Sequence, residues 1–270
     1  MKNILPLLLL AIVSFCVLHS GCAQADVNFE WLPRGRPFRL TFADPREIRM
    51  GLDFEGDSKL VAAVGNYFSL FEVTPGANDT SWRMDFGIEG AGYFGLRQAD
   101  SRFPLETADG LIGLYLEACS GPWQAQIRYT HISAHLADGS SGVPIPYSRE
   151  FTEYRFAYAP NSNFQVYSGI GLIINSVPQV PPWSVQVGSE YFFPKVLEHV
   201  TPFVAMDVKI KQETTYNPSV NAQIGIALNN PPEAYRSFRL FYEFYTGADY
   251  RGQFYNFPLT THSLGIEMQI

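Results

Sequence analysis

Polar and apolar side chains alternate along most of this chain with a period of two. Residues 123–130 place Trp, Ala, Ile and Tyr on one face and Gln, Gln, Arg and Thr on the other. The same alternation recurs at 183–188, 204–211 and 220–226 and continues to the C-terminus. Successive side chains of a β-strand point to opposite faces, so this pattern is typical of strands. Helical periodicity free of Pro and Gly is nearly absent.

Twelve segments carry the alternation. Most are longer than the roughly 5–6 residues of an average strand and near the roughly 9–11 that a tilted strand needs to cross a bilayer. Their polar faces carry groups such as Arg128, Asp207 and Lys209, which suit a wet lumen better than a dry core. The pattern predicts an all-β fold, a closed, antiparallel, up-and-down transmembrane β-barrel of about 12 strands. The segments are 49–56, 60–73, 82–96, 108–118, 123–136, 149–158, 164–174, 183–192, 202–212, 219–228, 237–246 and 262–270.

Connection lengths and aromatic residues agree with such a barrel. The connections at 120–122 and 159–163 are short, whereas those at 137–148 and 247–261 are long, as expected for periplasmic turns and outer loops. Aromatic residues fall near strand ends, where interface girdles lie in membrane barrels. They are Trp82, Trp123, Tyr158, Phe164, Trp183, Tyr191, Phe203 and Phe238.

The N-terminal residues predict export. A basic start, an apolar run and a small-x-small ending indicate a cleaved signal peptide over residues 1–25, with lipidation at Cys22 as the competing interpretation. The mature chain would begin at Asp26 and keep a single cysteine, Cys119, so an intrachain disulfide framework is excluded. Residues 26–48 are then an N-terminal extension or a plug segment, and 49–270 the barrel. The predicted location is the cell outer membrane.

Composition narrows the functional classes. The formal charge of −7 argues against a broad grip on nucleic acid, and no nucleic-acid partner is expected. Charged residues make up 17% of the chain and aromatic residues 15%, which is typical of a folded chain rather than a disordered one. No phosphate-binding loop, nucleotide fingerprint or cysteine cluster is present, so we expect no cofactor and no metal.

Several segments resemble one bacterial family. Phe42-Ala43-Asp44-Pro45-Arg46-Glu47, Gly65-Asn66-Tyr67-Phe68-Ser69-Leu70, His131-Ile132-Ser133-Ala134-His135-Leu136-Ala137-Asp138, Tyr147-Ser148-Arg149-Glu150 and Val185-Gln186-Val187-Gly188-Ser189-Glu190-Tyr191 resemble the family catalogued as domain of unknown function 1207, from about residue 38 to the C-terminus. The family's usual histidine segment differs at Ala134, Ala137 and Gly139. The resemblance implies an exported outer-membrane protein and brings no activity with it.

One group of residues suggests hydrolytic chemistry. His131, Ser133 and His135 share the lipid-facing side of segment 123–136, and Glu150 begins the next segment at the same height. Ser133 as nucleophile, His131 as base and Glu150 orienting that base would form a hydrolase triad. A His-x-Ser pair followed by Glu on the next strand is similar to the arrangement in outer-membrane lipid A 3-O-deacylases, which implies a lipid acyl ester as substrate.

Other interpretations stay open. A bulge could turn the His-x-Ser segment into the lumen, towards a carboxylate such as Asp44 or Asp138. We therefore also predict a binding or structural site. The first functional interpretation is a structural or lipid-binding barrel of the cell envelope. The alternatives are a lipid ester hydrolase and a narrow channel. The expected partners are outer-membrane lipid, either phospholipid or lipopolysaccharide, and the barrel-assembly machinery, with the oligomeric state open. The binding or structural candidates are His135, Asp138, Arg149, Asp44 and Arg46.

Overall fold

The computed structural model describes residues 27–56, 58–76, 81–228 and 237–269. The proposed signal peptide, its cleavage point and Cys22 lie outside these residues. No helix in the described ranges is long and apolar enough to span a membrane. The strands are β1 (Val27–Trp31), β2 (Met50–Glu55), β3 (Lys59–Pro75), β4 (Trp82–Arg97), β5 (Leu105–Ser120), β6 (Trp123–Leu136), β7 (Tyr147–Asn161), β8 (Phe164–Val177), β9 (Trp183–Phe192), β10 (Val200–Lys211), β11 (Pro218–Leu228), β12 (Ser237–Ala248) and β13 (Pro258–Gln269).

Strands β2 to β13 form a closed antiparallel barrel. Each strand pairs with the next one along the chain, and β13 pairs with β2 to close the sheet. The predicted closed barrel of about 12 strands is therefore confirmed, with one extra strand, β1, outside the prediction. We call the end that carries connections 121–122 and 162–163 the lower end, and the end that carries connections 137–146 and 249–257 the upper end.

The alternation in the sequence sorts side chains between lumen and outer face. In β6, Gln124, Gln126 and Arg128 are buried in the lumen, whereas Ile127 and Tyr129 are exposed on the outer face. The largest fully buried side chains in the described part of the chain begin with three arginines, Arg128, Arg155 and Arg239. Arginine is almost never fully buried in a soluble protein unless it is paired. Because these side chains point into the lumen while apolar ones point outwards, the barrel is polar inside and apolar outside.

Strands β1 and β2 occupy a single position in the barrel wall. Both pair with β3: β1 with residues 71–75 and β2 with residues 59–64. Between them lie residues 32–49, which we call the inner segment. Leu32 is exposed and its amide still donates to the Leu70 carbonyl (3.0 Å), and the segment then enters the lumen, where its later residues are buried. The inner segment is therefore attached to the wall at both of its ends.

The inner segment contacts the lumen wall through both apolar and polar groups. Phe38, Phe42 and Ile48 are buried there. The amide of Phe38 donates to the Glu117 carboxylate (3.1 Å), and the Asn221 side chain donates to the carbonyl of Ala43 (2.8 Å). These contacts tie the segment to strands on opposite sides of the barrel.

One predicted girdle residue lies inside the barrel. Phe203 is 1% exposed and stacks on Phe192, which in turn contacts Phe42 of the inner segment. Its neighbour Val204 takes the outer face. The assignment of Phe203 to a membrane girdle is therefore wrong. Phe203 is near a strand end, but in the two-residue alternation of its strand it falls on the inward-facing side.

The connection 249–257 closes much of the upper end. The Gly252 amide donates to Asp109 (2.9 Å), and the Gln253 side chain donates to the carbonyls of Ala134 (2.6 Å) and Ile145 (2.9 Å). Only glycine allows this approach, since a Cβ at position 252 would lie 2.5 Å from that of Ala134. The lumen is thus occupied from below by the inner segment and covered from above by this connection.

Candidate functional site

The predicted catalytic residues lie on two paired strands and share the outer face. In the register of β6 and β7, His131 is opposite Glu150, and Ser133 is opposite Ser148. Ile132 and Arg149, which alternate with them, are buried in the lumen. The structure therefore brings Ser133, His131 and Glu150 to one patch of the outer wall, near the upper ends of their strands.

His131 and Glu150 form the central contact of this patch. The imidazole Nδ1 lies 3.7 Å from Oε1 of Glu150, with the two side chains 43% and 34% exposed. At this separation the pair is within ion-pair range but longer than a hydrogen bond. Because Nδ1 faces the carboxylate, Nε2 remains for a second partner. In a Ser-His-acid triad, likewise, Nδ1 of the histidine faces the acid and Nε2 faces the serine.

Ser133 lies beside this pair without bonding to it. Residues two apart on one face of a strand are about 6.6–7 Å apart at Cα, and no hydrogen bond joins the Ser133 hydroxyl to His131 within the described residues. Catalytic hydrogen bonds are often long in the absence of substrate and tighten when it binds. On β5, the residue opposite Ser133 is Gly110. If Gly110 carried a Cβ atom, the nearest atom to it would be the Ser133 hydroxyl oxygen, 3.9 Å away. The outer face is therefore open beside Ser133.

His135 and Asp138 do not join the pair. His135 is exposed on the outer face opposite Ala108, and Asp138 is exposed in connection 137–146. Neither makes an ion pair in the part of the chain that the structure describes. The alternative in which a bulge turns the histidines inward is not seen, since His131 and His135 both keep the outer face.

Asp44 and Arg46, on the inner segment, lie in the lumen. The Asp44 carboxylate accepts from Arg155 (3.0 Å), Gln186 (2.9 Å) and Lys209 (3.1 Å). Arg46 donates to Asp109 (3.0 Å). These contacts hold the inner segment to the wall, and they are separated from the His131 patch by the barrel wall itself.

The carboxylates of the inner segment are stabilised by cationic side chains of the barrel wall. Burial opposes ionisation of Asp44, but Lys209 and Arg155 outweigh it and lower the pKa of Asp44 below its usual range. Burial likewise opposes ionisation of Glu47, while Arg155 and Arg128 lower its pKa. Both carboxyl groups are therefore ionised at neutral pH.

Arg149 is buried just inside the outer patch. Its Nη1 donates to the carbonyls of Ser148 (3.1 Å), Val177 (2.9 Å) and Pro178 (3.2 Å), and its guanidinium lies 4.3 Å from the Tyr147 ring centroid. Arg149 therefore fixes the backbone at the start of β7. Through that backbone it positions the outward side chains that flank it, Ser148 and Glu150.

Sequence reasoning missed two polar neighbours of the patch. Ser148 is opposite Ser133, and Asn175 of β8 is opposite Glu150. The predicted height of Glu150 beside His131 already implies that Ser148 lies near Ser133, whereas the position of Asn175 depends on the register of β8 with β7. Among the described residues, no group of three or more His, Cys, Asp and Glu is arranged to hold a metal ion.

Comparison with known proteins identifies the family and the fold. The chain matches the family described as Protein of unknown function (DUF1207) over residues 15–269, and it belongs to that family. No curated protein matches it.

Solved structures with a similar fold are outer-membrane proteins. Outer membrane phospholipase A from Escherichia coli superposes with a TM-score of 0.52 at 14% identity, covering 78% of each chain. An active-site mutant of that enzyme gives 0.52 at 13% identity, covering 86% of this chain and 90% of that one. The β domain of the Bordetella autotransporter BrkA gives 0.41 at 12% identity, covering 82% and 97%. At 13–14% identity, the likeness to the phospholipase shows the outer-membrane barrel fold alone.

Proposed function

We propose that this member of the DUF1207 family is an outer-membrane hydrolase that cleaves acyl esters of lipids with Ser133, His131 and Glu150. The observation that carries the proposal is the His131 Nδ1 to Glu150 contact of 3.7 Å, on the outer face beside an outward serine. Polar residues on the outer face of a barrel are costly at the bilayer centre and tolerated near its interfaces. A lipid ester at the head-group level would meet the patch directly.

The chemistry follows from the positions of the three side chains. Ser133 Oγ attacks the ester carbonyl carbon while its proton passes to His131 Nε2. The resulting tetrahedral intermediate collapses, the C–O bond to the alcohol breaks, and His131 returns the proton to the leaving alkoxide. Water then attacks the acyl-serine with His131 again as base, which releases the fatty acid and restores Ser133. The Glu150 carboxylate stabilises the imidazolium in both steps.

The location and orientation of the barrel are part of the same proposal. Residues 1–25 act as a cleaved signal peptide, the barrel-assembly machinery inserts the mature chain, and the upper end faces the outside of the cell. The lipid-facing patch then meets the outer leaflet, where lipopolysaccharide and misplaced phospholipid both offer acyl esters. Outer membrane phospholipase A, one of the structures with a similar fold, acts on phospholipid by its name, which supports a lipid ester as the substrate class.

The direct test measures fatty acid release. The full chain, purified in detergent, is incubated with phosphatidylethanolamine mixed micelles and, separately, with purified lipopolysaccharide, and released fatty acids are measured by mass spectrometry. We expect release from at least one substrate and its loss in Ser133→Ala. The matched control is Ser168→Ala, since Ser168 is exposed on the outer face of β8 opposite Phe156, with no histidine opposite it. Hydrolysis that survives Ser133→Ala, or no hydrolysis of either lipid by the wild type, would refute the enzyme and favour a structural or lipid-binding barrel.

A channel is the weaker candidate. Segment 32–49 crosses the lumen, is bonded to several strands and is attached to the wall at both ends. A plug held in this way does not leave by simple displacement.

A further inference from the structure

We propose that Ser148 is a catalytic residue whose hydroxyl donates a hydrogen bond to the oxyanion of the tetrahedral intermediate formed on Ser133. This inference rests on the proposed function and adds a member to its machinery. The requirement comes from the chemistry, because attack on an ester carbonyl places negative charge on its oxygen, and hydrolases stabilise that charge with prepositioned donors.

Backbone amides at this site are already used. In many hydrolases the oxyanion donors are main-chain N–H groups at a turn or helix start. Here Ser133 lies inside β6, and residues 131–134 pair with β5 on one side and β7 on the other. The N–H groups of a strand lie in the plane of the sheet and bond to neighbouring strands, so they do not point to the outer face. The oxyanion donor must therefore come from an outward side chain.

The neighbours of Ser133 leave few candidates. On β5 the opposite residue is Gly110, flanked on the same face by Ala108 and Ile112, and none of these has a side-chain donor. On β7 the opposite residue is Ser148, which is followed on the same face by the carboxylate of Glu150. His131 is committed to proton transfer. Ser148 is then the hydroxyl closest to Ser133 by register.

The geometry and the state of Ser148 suit a donor. Side chains directly opposite on antiparallel strands have Cβ atoms about 4.5–5.5 Å apart, which leaves room for an ester carbonyl between two hydroxyls. In the described structure the Ser148 hydroxyl makes no hydrogen bond, so it is available. Its backbone is held by Arg149, whose Nη1 donates to the Ser148 carbonyl (3.1 Å). The donor is therefore placed on a fixed strand rather than on a mobile loop.

The substrate would approach Ser133 from the side of β5, opposite to the side on which Ser148 of β7 lies. The outer face above Gly110 is open, with only the Ser133 hydroxyl near it. An ester entering over Gly110 places its carbonyl carbon at Ser133 and its carbonyl oxygen towards Ser148. The acyl-bearing part then lies over β5, and the base, His131, approaches from the lower side.

The experiment compares Ser148→Ala and Ser148→Thr with the wild type. Removing one oxyanion donor typically lowers kcat by about 10²–10³-fold, so we expect a loss of that size in Ser148→Ala with little change in KM. Threonine keeps the hydroxyl and should recover most of the rate. Heat-modifiable gel migration of each variant reports whether the barrel has folded. Ser168→Ala removes an outward hydroxyl of β8 that is not opposite Ser133, and it should stay near the wild-type rate.

The outcomes separate this inference from the proposed function. If the wild type hydrolyses lipid and Ser133→Ala does not, but Ser148→Ala keeps a rate within about threefold of the wild type, the oxyanion role is wrong and the hydrolase stands. The role is equally wrong if threonine fails to recover the rate in a folded barrel, or if Ser168→Ala shows the same loss. If the wild type is inactive, the proposed function has failed, and Ser148 has no role in catalysis.

Discussion

Asp44 of the inner segment and Arg155 of β7 form an ion pair of 3.0 Å deep in the lumen, with both side chains almost fully buried. Arg155 also donates to Glu47 (3.1 Å), and Asp44 also accepts from Lys209 (3.1 Å). The pair thus belongs to a network that joins the inner segment to two wall strands. Loss of Asp44 would leave Arg155 with Glu47 and Glu153 and Lys209 with Glu153 alone, and a buried cation that loses a carboxylate partner is costly.

The first prediction concerns the stability that this network provides. Asp44→Asn leaves Arg155 and Lys209 short of a counter-charge, and we expect a loss of about 3 kcal/mol in the free energy of unfolding. Urea unfolding followed by gel mobility measures it. The control is Arg97→Ala, which breaks an exposed pair with Glu106 and should cost at most about 1 kcal/mol. Equal effects of the two changes would show that the inner segment is not held by its charges.

The second prediction is the pH dependence of the same network. The pKa values of Asp44 and Glu47 are lowered in the folded state, so their contribution to stability is complete above the unfolded pKa values. It is lost as the pH falls below about 4, through the folded pKa values. We therefore expect the stability that Asp44 contributes, measured as the difference between wild type and Asp44→Asn, to shrink as the pH falls below about 4. A difference that shrinks between pH 7 and 6 would contradict the assignment.

The third prediction concerns conductance. Because residues 32–49 occupy the lumen and connection 249–257 covers its upper end, the wild-type protein should show no discrete conductance steps in planar bilayers. Steps that change with charge reversal at Arg128 or Lys209 would show instead that an open path passes these lumen residues.

The sequence predicted the faces of the strands better than their partners. Alternation alone assigns His131 and Ser133 to the outer face, because the two-residue period in β6 is unbroken. The exact register that places Ser148 opposite Ser133 depends on how connection 137–146 folds, and the sequence indicates only that Glu150 lies at about the height of His131. The pairing of Val27–Trp31 with the lower part of β3 was also missed, because it joins residues 40 to 48 positions apart in the sequence. In the chain, the inner segment separates β1 from the strands of the barrel.

The fourth prediction tests the role of Glu150. Glu150→Gln keeps the shape of the side chain but removes the charge that stabilises the His131 imidazolium, so kcat should fall by about 10²–10⁴-fold. Glu150→Asp keeps the charge and should retain more activity than the glutamine variant. The measurement is kcat on phosphatidylethanolamine micelles. A glutamine variant as active as the wild type would show that the 3.7 Å contact has no catalytic role.

The fifth prediction tests the open face beside Ser133. Gly110 is opposite Ser133 on the outer face, and a side chain there would project into the space where the ester is expected to lie. Gly110→Leu should therefore raise KM by at least about tenfold, the size of effect that a single misplaced apolar group has on recognition. Gly90→Leu is the matched control, because Gly90 is also on the outer face and meets only the Leu111 carbonyl at 3.7 Å, yet it is opposite Ile112 rather than the serine. Both variants add the same apolar side chain to the lipid-facing surface, so a difference between their KM values reports on position alone. Equal KM values in two folded variants would place the substrate elsewhere on the wall.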